Sequence, residues 1–509
     1  MRRFVAACVL TIPTLCGAAA STPLVLELTD YIAMPITGLV DGQGQTDGML
    51  ARINSLREDP TNPNRFFVND LNGPLYILDK TTKKLTTYLD FNGRDAKPGL
   101  FHRLAWEVGY AGGLISLQFD PDYRRNGKFY TVHMENPALT ASNLPDKANV
   151  PGLELRGYET TAAIATPGEI QRECVLIEWT DSNRQNATFE GSARELMRIQ
   201  YNTRIHPMGD LSFKPSARRD DADWRVLYIG SGDGGSGESR LAMRSNPQRL
   251  DTMVGKILRI VPDLNEHQSS STASDNGRYR IPNDNPFAAT PGARKEIWAY
   301  GFRNPHRLHW VDDRLIVNSI GLRTWETVNI VHRGANYGYS LREGNQALGA
   351  DNRISPLPED DRIDSVTPTY PVIQYGHVPG GGDAIGGGFF YRGTLVPALR
   401  GKYVFSDIST GRLWWADFNE MVAADDGNPQ TMAAMHEIRI RWNGQVYDTM
   451  FPIVEAAYHA RGGKAPHLPG RALISGDGRA DAQFAVDGAG ELYVVTKSDG
   501  TIRAVAGGG

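Results

Sequence analysis

Cysteine is nearly missing from this 509-residue chain: it occurs three times, at Cys8, Cys16 and Cys174. If the first twenty residues are removed on export, Cys174 alone remains and no internal disulfide can form. The mature chain must then be held together by its core, which suits a large exported domain better than a small stapled one. Long apolar runs are also lacking beyond the N-terminus, so no later segment approaches the roughly 20 residues of a transmembrane helix. There is no block of five or more like charges, and the formal net charge is −4. Nucleic acid and a polybasic membrane anchor are thereby poor partners. Nucleophile-elbow, P-loop and dinucleotide fingerprints are absent as well. What is present is 40% hydrophobic and 22% charged sequence, with 54 glycines, 30 prolines and 20 tyrosines. That excludes general disorder and favours many short strands joined by tight turns.

The N-terminus has the layout of a secretory signal peptide. Arg2 and Arg3 precede an apolar run from Phe4 to Leu15, and Ala18-Ala19-Ala20 supplies small residues before Ser21. The run is too short to span a bilayer. The expectation is a cleaved leader at 1–20, a single mature domain at 21–509, and a periplasmic or secreted location. Leu15 before Cys16 fits a lipoprotein site poorly, and a buried first helix or strand is the alternative.

Six segments repeat one pattern, a turn residue followed by an apolar or aromatic strand. They begin at Pro74, Gly127, Val226, Arg314, Gly401 and Glu491, and several are followed by a second alternating strand, as at Lys256–Ile260, Arg412–Asp417 and Thr501–Val505. Period-2 alternation between Gly, Asn and Asp turns reads as antiparallel hairpins. The predicted fold is all-β, a six-bladed β-propeller of four-stranded antiparallel blades with long inter-strand loops near 138–170, 264–295 and 341–370. Tandem β-sandwiches are the alternative, but no linker separates them.

Propellers gather polar groups at the mouth of a central channel, so polar phrases in strand-entry loops are the candidates for function. Four stand out: His206 to Phe213 leading into Leu227-Tyr228-Ile229-Gly230-Ser231-Gly232-Asp233-Gly234-Gly235; Asn246 to Leu250 before Gly255; Tyr300-Gly301-Phe302-Arg303-Asn304-Pro305; and His377 with the glycine-rich run 380–393. Together they resemble the glucose/sorbosone dehydrogenase family, soluble aldose sugar dehydrogenases that use pyrroloquinoline quinone (PQQ). The resemblance runs from Gly113 through Asn336-Tyr337-Gly338-Tyr339 to Tyr493, and the family fold it implies is a six-bladed propeller.

The resemblance implies roles residue by residue. His206 takes the place of the general base that removes the proton of the sugar's anomeric hydroxyl, a task for which an imidazole of ordinary pKa near 6.5 is suited. Arg303 and Asn304 take the place of the pair that holds the quinone oxygens. Arg479 matches one of two arginines clamping the cofactor's carboxylates, and His377 is placed to face the cofactor. Calcium is implied at the carbonyls of Gly321 and Leu322, a ligand type that leaves little trace in side-chain identity. The chain departs from the pattern at Ser409, where a lysine is usual, and at Asp481, where the second arginine is usual. Ala111 replaces a glutamine and Ile205 an acidic residue. Lys402, Arg392, Arg412 or Arg461 are the candidate replacements for the lost cations.

The implied function is an exported quinoprotein oxidoreductase that oxidises an aldose at its anomeric carbon. Since no Cys-x-x-Cys-His haem motif exists, its electrons pass to a separate acceptor. A propeller that binds carbohydrate or protein without catalysis is the main alternative, favoured by the lost cations. A calcium-dependent propeller lactonase ranks last, because few inward Asp, Glu and Asn residues stand at blade starts. His206 and Arg303-Asn304 also have plain structural readings, and Asp233-Gly234-Gly235 reads as a tight turn before it reads as a calcium site.

Overall fold

The computed structural model describes residues 23–42, 46–106, 111–239 and 241–509; the expected leader at 1–20 lies outside the described residues. Strands dominate, and they assemble in chain order. The first sheet is Ile53–Asp59, Asn62–Asp70, Pro74–Asp79 and Leu85–Asp90. The second is built on Leu114–Phe119, Lys128–Glu135, Arg172–Asp181 and Gly191–Tyr201, with Leu153–Glu154 and Ala163–Ile164 added in parallel to its last strand. Met208–Phe213, Leu227–Ser231, Lys256–Ile260 and Ile297–Tyr300 form the third. Asn304–Val311, Arg314–Ile320, Trp325–Val331 and Ile373–Gly376 form the fourth.

Nine of the remaining strands form one sheet rather than two separate ones. Its first half runs Ile385–Phe390, Lys402–Asp407, Leu413–Asp417 and His436–Trp442, with Gln445–Tyr447 added to the last. The second half runs Ala482–Val486, Leu492–Thr496 and Thr501–Gly508, completed by the N-terminal strand Leu24–Ala33. That strand joins the halves, pairing antiparallel with Thr501–Gly508 and parallel with His436–Trp442. Pairing the two chain ends in one sheet ties both down with main-chain hydrogen bonds.

The innermost strands touch in a closed circuit: Ile53–Asp59, Leu114–Phe119, Met208–Phe213, Asn304–Val311, Ile385–Phe390, Ala482–Val486 and back to Ile53–Asp59. Strand alternation explains how each sheet serves two neighbours at once. Leu227 and Ile229 pack towards the second sheet, in a cluster with Tyr130, Cys174 and Met197. Val226 and Tyr228, one residue out of phase, pack towards the fourth with Leu308 and Trp310. Buried apolar layers of this kind follow one another around the circuit, each side chain contributing about 1.5–3 kcal/mol. The inner ends are polar instead. Asp210 receives Arg57 Nη2 at 3.1 Å and the Leu308 amide at 3.2 Å, while Arg307 reaches Asn54 and Gln483, whose Oε1 lies at 2.6 Å. These bonds cross between sheets and stiffen the ring from within.

Pro74–Asp79 and Lys256–Ile260 appear with the expected bounds, and the other predicted hairpin strands shift by one to three residues at an end. The long loops carry structure of their own, a hairpin of Ser271–Ala273 and Arg280–Pro282 and a small sheet of Arg342–Glu343, Gln346–Leu348 and Ile354–Ser355. Three helices among the described residues were not expected, the shortest being Tyr123–Asn126. Phe418–Ala424 is capped by the Asp417 carboxylate, and Phe451–Ala460 buries Ile453, Val454 and Tyr458 against the large sheet's core.

Candidate functional site

At one mouth of the circuit lies a cavity of about 290 Å³. Its wall contains Ala111, Ile205, His206, Arg303, Asn304, Gly321, Leu322, His377, Arg479 and Asp481, residues up to 370 positions apart in the sequence that the fold brings together. Ser409 is not in this wall, though its neighbour Ile408 is: it is buried, and its Oγ has no hydrogen-bond partner among the described residues.

The phrase around Asp233 builds the histidine end. His206 sits in the left-handed backbone region at φ 50, a conformation costing a non-glycine residue about 1–2 kcal/mol. It is over-determined by its surroundings. Its carbonyl accepts the Gly234 amide at 3.1 Å, and a Cβ on Gly232 would meet that same carbonyl oxygen at 2.4 Å, so only glycine fits there. The imidazole Nδ1 lies 2.6 Å from Asp233 Oδ1. Asp233 is fully buried and also accepts the Gly235 and Gly237 amides, both at 2.8 Å. Burial works to raise its carboxyl's pKa, but the adjacent imidazole and the Arg303 charge outweigh it and hold the group below its usual value. A carboxylate on Nδ1 makes that nitrogen the donor and leaves Nε2 as the ring nitrogen on the opposite side from Asp233. Asp233, read from sequence as a turn residue, is therefore the partner that orients His206.

Arg303 follows the turn between the third and fourth sheets, where Phe302 stacks on Tyr337 at 4.3 Å. Its guanidinium is gripped on both sides. Nε and Nη2 meet Glu238, and Nη1 donates to the carbonyls of Ile320 at 3.2 Å and Gly321 at 2.5 Å. Burial would favour loss of its proton, yet the Glu238 charge keeps it firmly cationic. Glu238 also lies 3.9 Å from His206 Nε2 and was not picked out from the sequence.

The loop after Ile320 is fixed by Glu343, whose Oε1 collects the amides of Leu322, Arg323, Thr324 and Trp325 at 2.8 to 3.2 Å. This loop carries Gly321 and Leu322, whose carbonyls the resemblance offered to calcium, and both residues line the cavity. The Gly321 carbonyl already carries a guanidinium, and among the described residues no three His, Cys, Asp or Glu side chains converge as metal ligands.

His377 forms a second imidazole–carboxylate pair of opposite polarity. Its Nε2 is 2.8 Å from Glu326 Oε1, and its buried Nδ1 has no partner among the described residues. Burial lowers its basicity, but the hydrogen bond to Glu326 and the charges of Glu326, Glu343 and Asp383 raise it further, leaving the ring above its ordinary pKa. Glu326 is itself fully buried and accepts the Gly321 and Ile385 amides.

Across the cavity Asp481, also left-handed at φ 50, receives Arg479 Nε at 3.2 Å and Lys497 Nζ at 3.4 Å. Lys497 and His306 line this wall, and neither was assigned to the site from sequence. The proposed replacement cations are not here. Lys402 pairs with Asp417, Arg412 with Glu437 and Arg392 with Asp312, while Arg461 is spent on main-chain carbonyls including Gly500. Each has a local partner that sequence spacing did not reveal.

A ring of sheets holding a buried imidazole–carboxylate pair against a cation-rich cavity is the framework of a small-molecule site of enzymatic type. The Glucose / Sorbosone dehydrogenase family matches residues 61–451, and the chain belongs to that family. It is 28% identical over 327 residues to HIPL1 protein of Arabidopsis thaliana, covering 59% of this chain and 43% of that protein. It is 36% identical over 115 residues to Aldose sugar dehydrogenase YliI of Escherichia coli, 21% of this chain and 27% of that one. A crystal structure of a glucose dehydrogenase superposes with a TM-score of 0.56 at 16% identity, covering 94% of this chain and 99% of the other. The PQQ-bound form of Aldose Sugar Dehydrogenase from Streptomyces coelicolor gives 0.50 at 16% identity, with 94% and 97% covered. At such identities the structural likeness speaks for the fold alone. The chain spans less than half the length of the curated relatives it matches.

Proposed function

We propose that the protein is an exported quinoprotein oxidoreductase, a six-bladed propeller that oxidises an aldose-type sugar at its anomeric carbon and passes electrons to a separate acceptor. Family membership supports a sugar oxidoreductase. The observation that carries the finer reading is the His206–Asp233 pair facing a cavity with Arg303, Arg479 and Lys497 in its wall. That wall suits a planar polyanionic quinone: cations are in excess, and His377 Nδ1 is a buried polar atom with no partner among the described residues.

When bound, PQQ supplies the two-electron acceptor that the side chains lack. His206 Nε2 takes the proton of the anomeric hydroxyl, and Asp233 holds the ring in the tautomer that permits it. The positive charge that this leaves on the imidazole is stabilised by Asp233 at 2.6 Å. Arg303 and Asn304 fix the oxygen-bearing edge of the ligand, and the apolar Ile205, Leu322 and Ile408 exclude water around the reacting carbon.

A non-catalytic binding role is the second reading, suggested by relatives such as Hedgehog-interacting protein of Homo sapiens, 25% identical over 58% of this chain and 33% of that protein. Reconstitution of the apo-protein with PQQ, followed by an aldose panel and a redox dye, separates the two. Dye reduction is expected, with His206→Ala lowering kcat by about 10²–10⁴-fold while PQQ binding survives. Absence of both dye reduction and retained quinone absorbance refutes the enzyme.

A further inference from the structure

The loop that lends Gly321 and Leu322 to the central cavity lends Trp325 to a second one, a groove of about 720 Å³ and more than twice the volume of the first. Its other walls come from the 341–370 loop, from Gln374 and from the loop after Phe418–Ala424. Among the described residues no lysine, arginine or histidine lines it, so nothing there answers an anionic ligand. The Asp361 carboxylate is met by Arg342, whose Nε donates to Oδ1 at 2.6 Å, so this acid does not call for a cation either. The amides form a fixed frame: Gln374 and Asn345 exchange bonds of 2.8 and 3.0 Å, and Asn345 Nδ2 reaches the Pro429 carbonyl at 2.8 Å. Trp325 is partly exposed, and its Nε1 is pinned to Gln346 Oε1 at 2.6 Å. Two buried polar atoms of this wall have no partner among the described residues, the Tyr370 hydroxyl and Asp361 Oδ2. Tyr370 is 8% exposed, and leaving such groups unpaired is costly unless a partner comes from outside the chain. One can donate and the other accepts. A ligand hydroxyl serves both, whereas a phosphate lacks the donor and an ammonium lacks the acceptor. A neutral chain of pyranose rings meets every one of these conditions, since its hydroxyls pair with the polar atoms and its C–H faces lie on the indole.

We propose that this groove is a saccharide-binding site, separate from the central cavity, that takes a neutral oligosaccharide with one ring on Trp325 and hydroxyls on Tyr370 and Asp361. It requires neither PQQ nor the redox reading above.

The test is titration calorimetry of the apo-protein with maltotetraose, cellotetraose, glucose and a decaproline peptide. At least one tetraose is expected to bind, and more tightly than glucose. Tyr370→Phe should weaken it about two- to tenfold, the span of one neutral hydrogen bond. Its melting temperature should stay at or above wild type, because it removes only a hydroxyl that the chain leaves unpaired. Trp325→Ala should weaken the tetraose at least about thirtyfold, with Trp325→Phe recovering part of the loss. His206→Ala, which alters the central cavity, should bind the tetraose as wild type does. The proposal is overturned if neither tetraose binds, or if decaproline binds in their place through Trp325. It is equally overturned if folded Tyr370→Phe and Trp325→Ala bind the tetraose as wild type does, or if His206→Ala abolishes binding. Tetraose binding at the groove without dye reduction by the PQQ-loaded protein keeps this site and refutes the oxidoreductase; dye reduction without tetraose binding does the reverse.

Discussion

Replacing Asp233 with asparagine is the sharpest probe of the histidine end. Asp233 Oδ1 faces His206 Nδ1 at 2.6 Å and the Gly235 amide at 2.8 Å, and Oδ2 faces the Gly237 amide at 2.8 Å. Every neighbour is a donor, so an amide NH₂ must point at a donor whichever way it turns. Kept with its oxygen on His206, the asparagine leaves the Gly237 N–H facing an NH₂, costing about 1–3 kcal/mol in a fully buried place. Turned over, it donates to Nδ1 and drives the imidazole proton onto Nε2, the nitrogen that must accept. Either way the base is impaired, and kcat with PQQ and an aldose should fall by about 10²–10⁴-fold. Acid unfolding gives an independent readout. The Asp233 carboxyl is held below its usual value when folded, so its contribution is complete above the unfolded pKa near 3.9. That contribution is lost as pH falls through the folded value, and Asp233→Asn should lack this acid-sensitive part of the wild-type curve. Urea unfolding, stopped-flow dye reduction and the pH series together decide the matter. A variant within about threefold of wild-type kcat, with an unchanged urea midpoint, would show that Asp233 does not orient the base.

Two further outcomes follow from local geometry. Gly232→Ala places a methyl 2.4 Å from the His206 carbonyl oxygen, so the His206 backbone must move; activity should drop at least about tenfold with PQQ affinity nearly kept, because misplacing a base costs rate first. Unaltered turnover would mean that the turn yields elsewhere. Cys174 is buried between the second and third sheets, and burial pushes its thiol up to about 12. It should resist thiol reagents in the native state and label at the rate of global unfolding, whereas rapid native labelling would contradict that packing.

Much of the ring was legible because strands write themselves as alternation. Lys256–Ile260 is assigned without error since its residues alternate between two apolar layers and glycine marks its start. The mouth was partly legible for a different reason: His206, Arg303, His377 and Arg479 stand in strand-entry loops with unusual glycine and proline neighbours. Glu238, His306 and Lys497 carried no such mark. Lys497 lies in what reads as an ordinary hairpin turn, Lys497-Ser498-Asp499-Gly500, and only ring closure brings that turn to the cavity. The misassigned cations show the converse. Lys402 is near the site in sequence logic, but its strand partner Asp417 lies directly across the ladder and claims it.

By itself, then, the amino-acid order determined the strands, their alternating faces and the cluster of chemically capable residues, because backbone period and turn chemistry are local properties. Partnership was decided in three dimensions. Whether a buried charge is neutralised, oriented or left to a ligand depends on which groups lie within a few ångströms after six inner strands close on one another. Hairpin pairing within single sheets set Asp233 against His206, gave the Gly321 carbonyl to Arg303 and put Lys497 beside Asp481, and closure of the inner strands brought the three hairpin ends to one cavity.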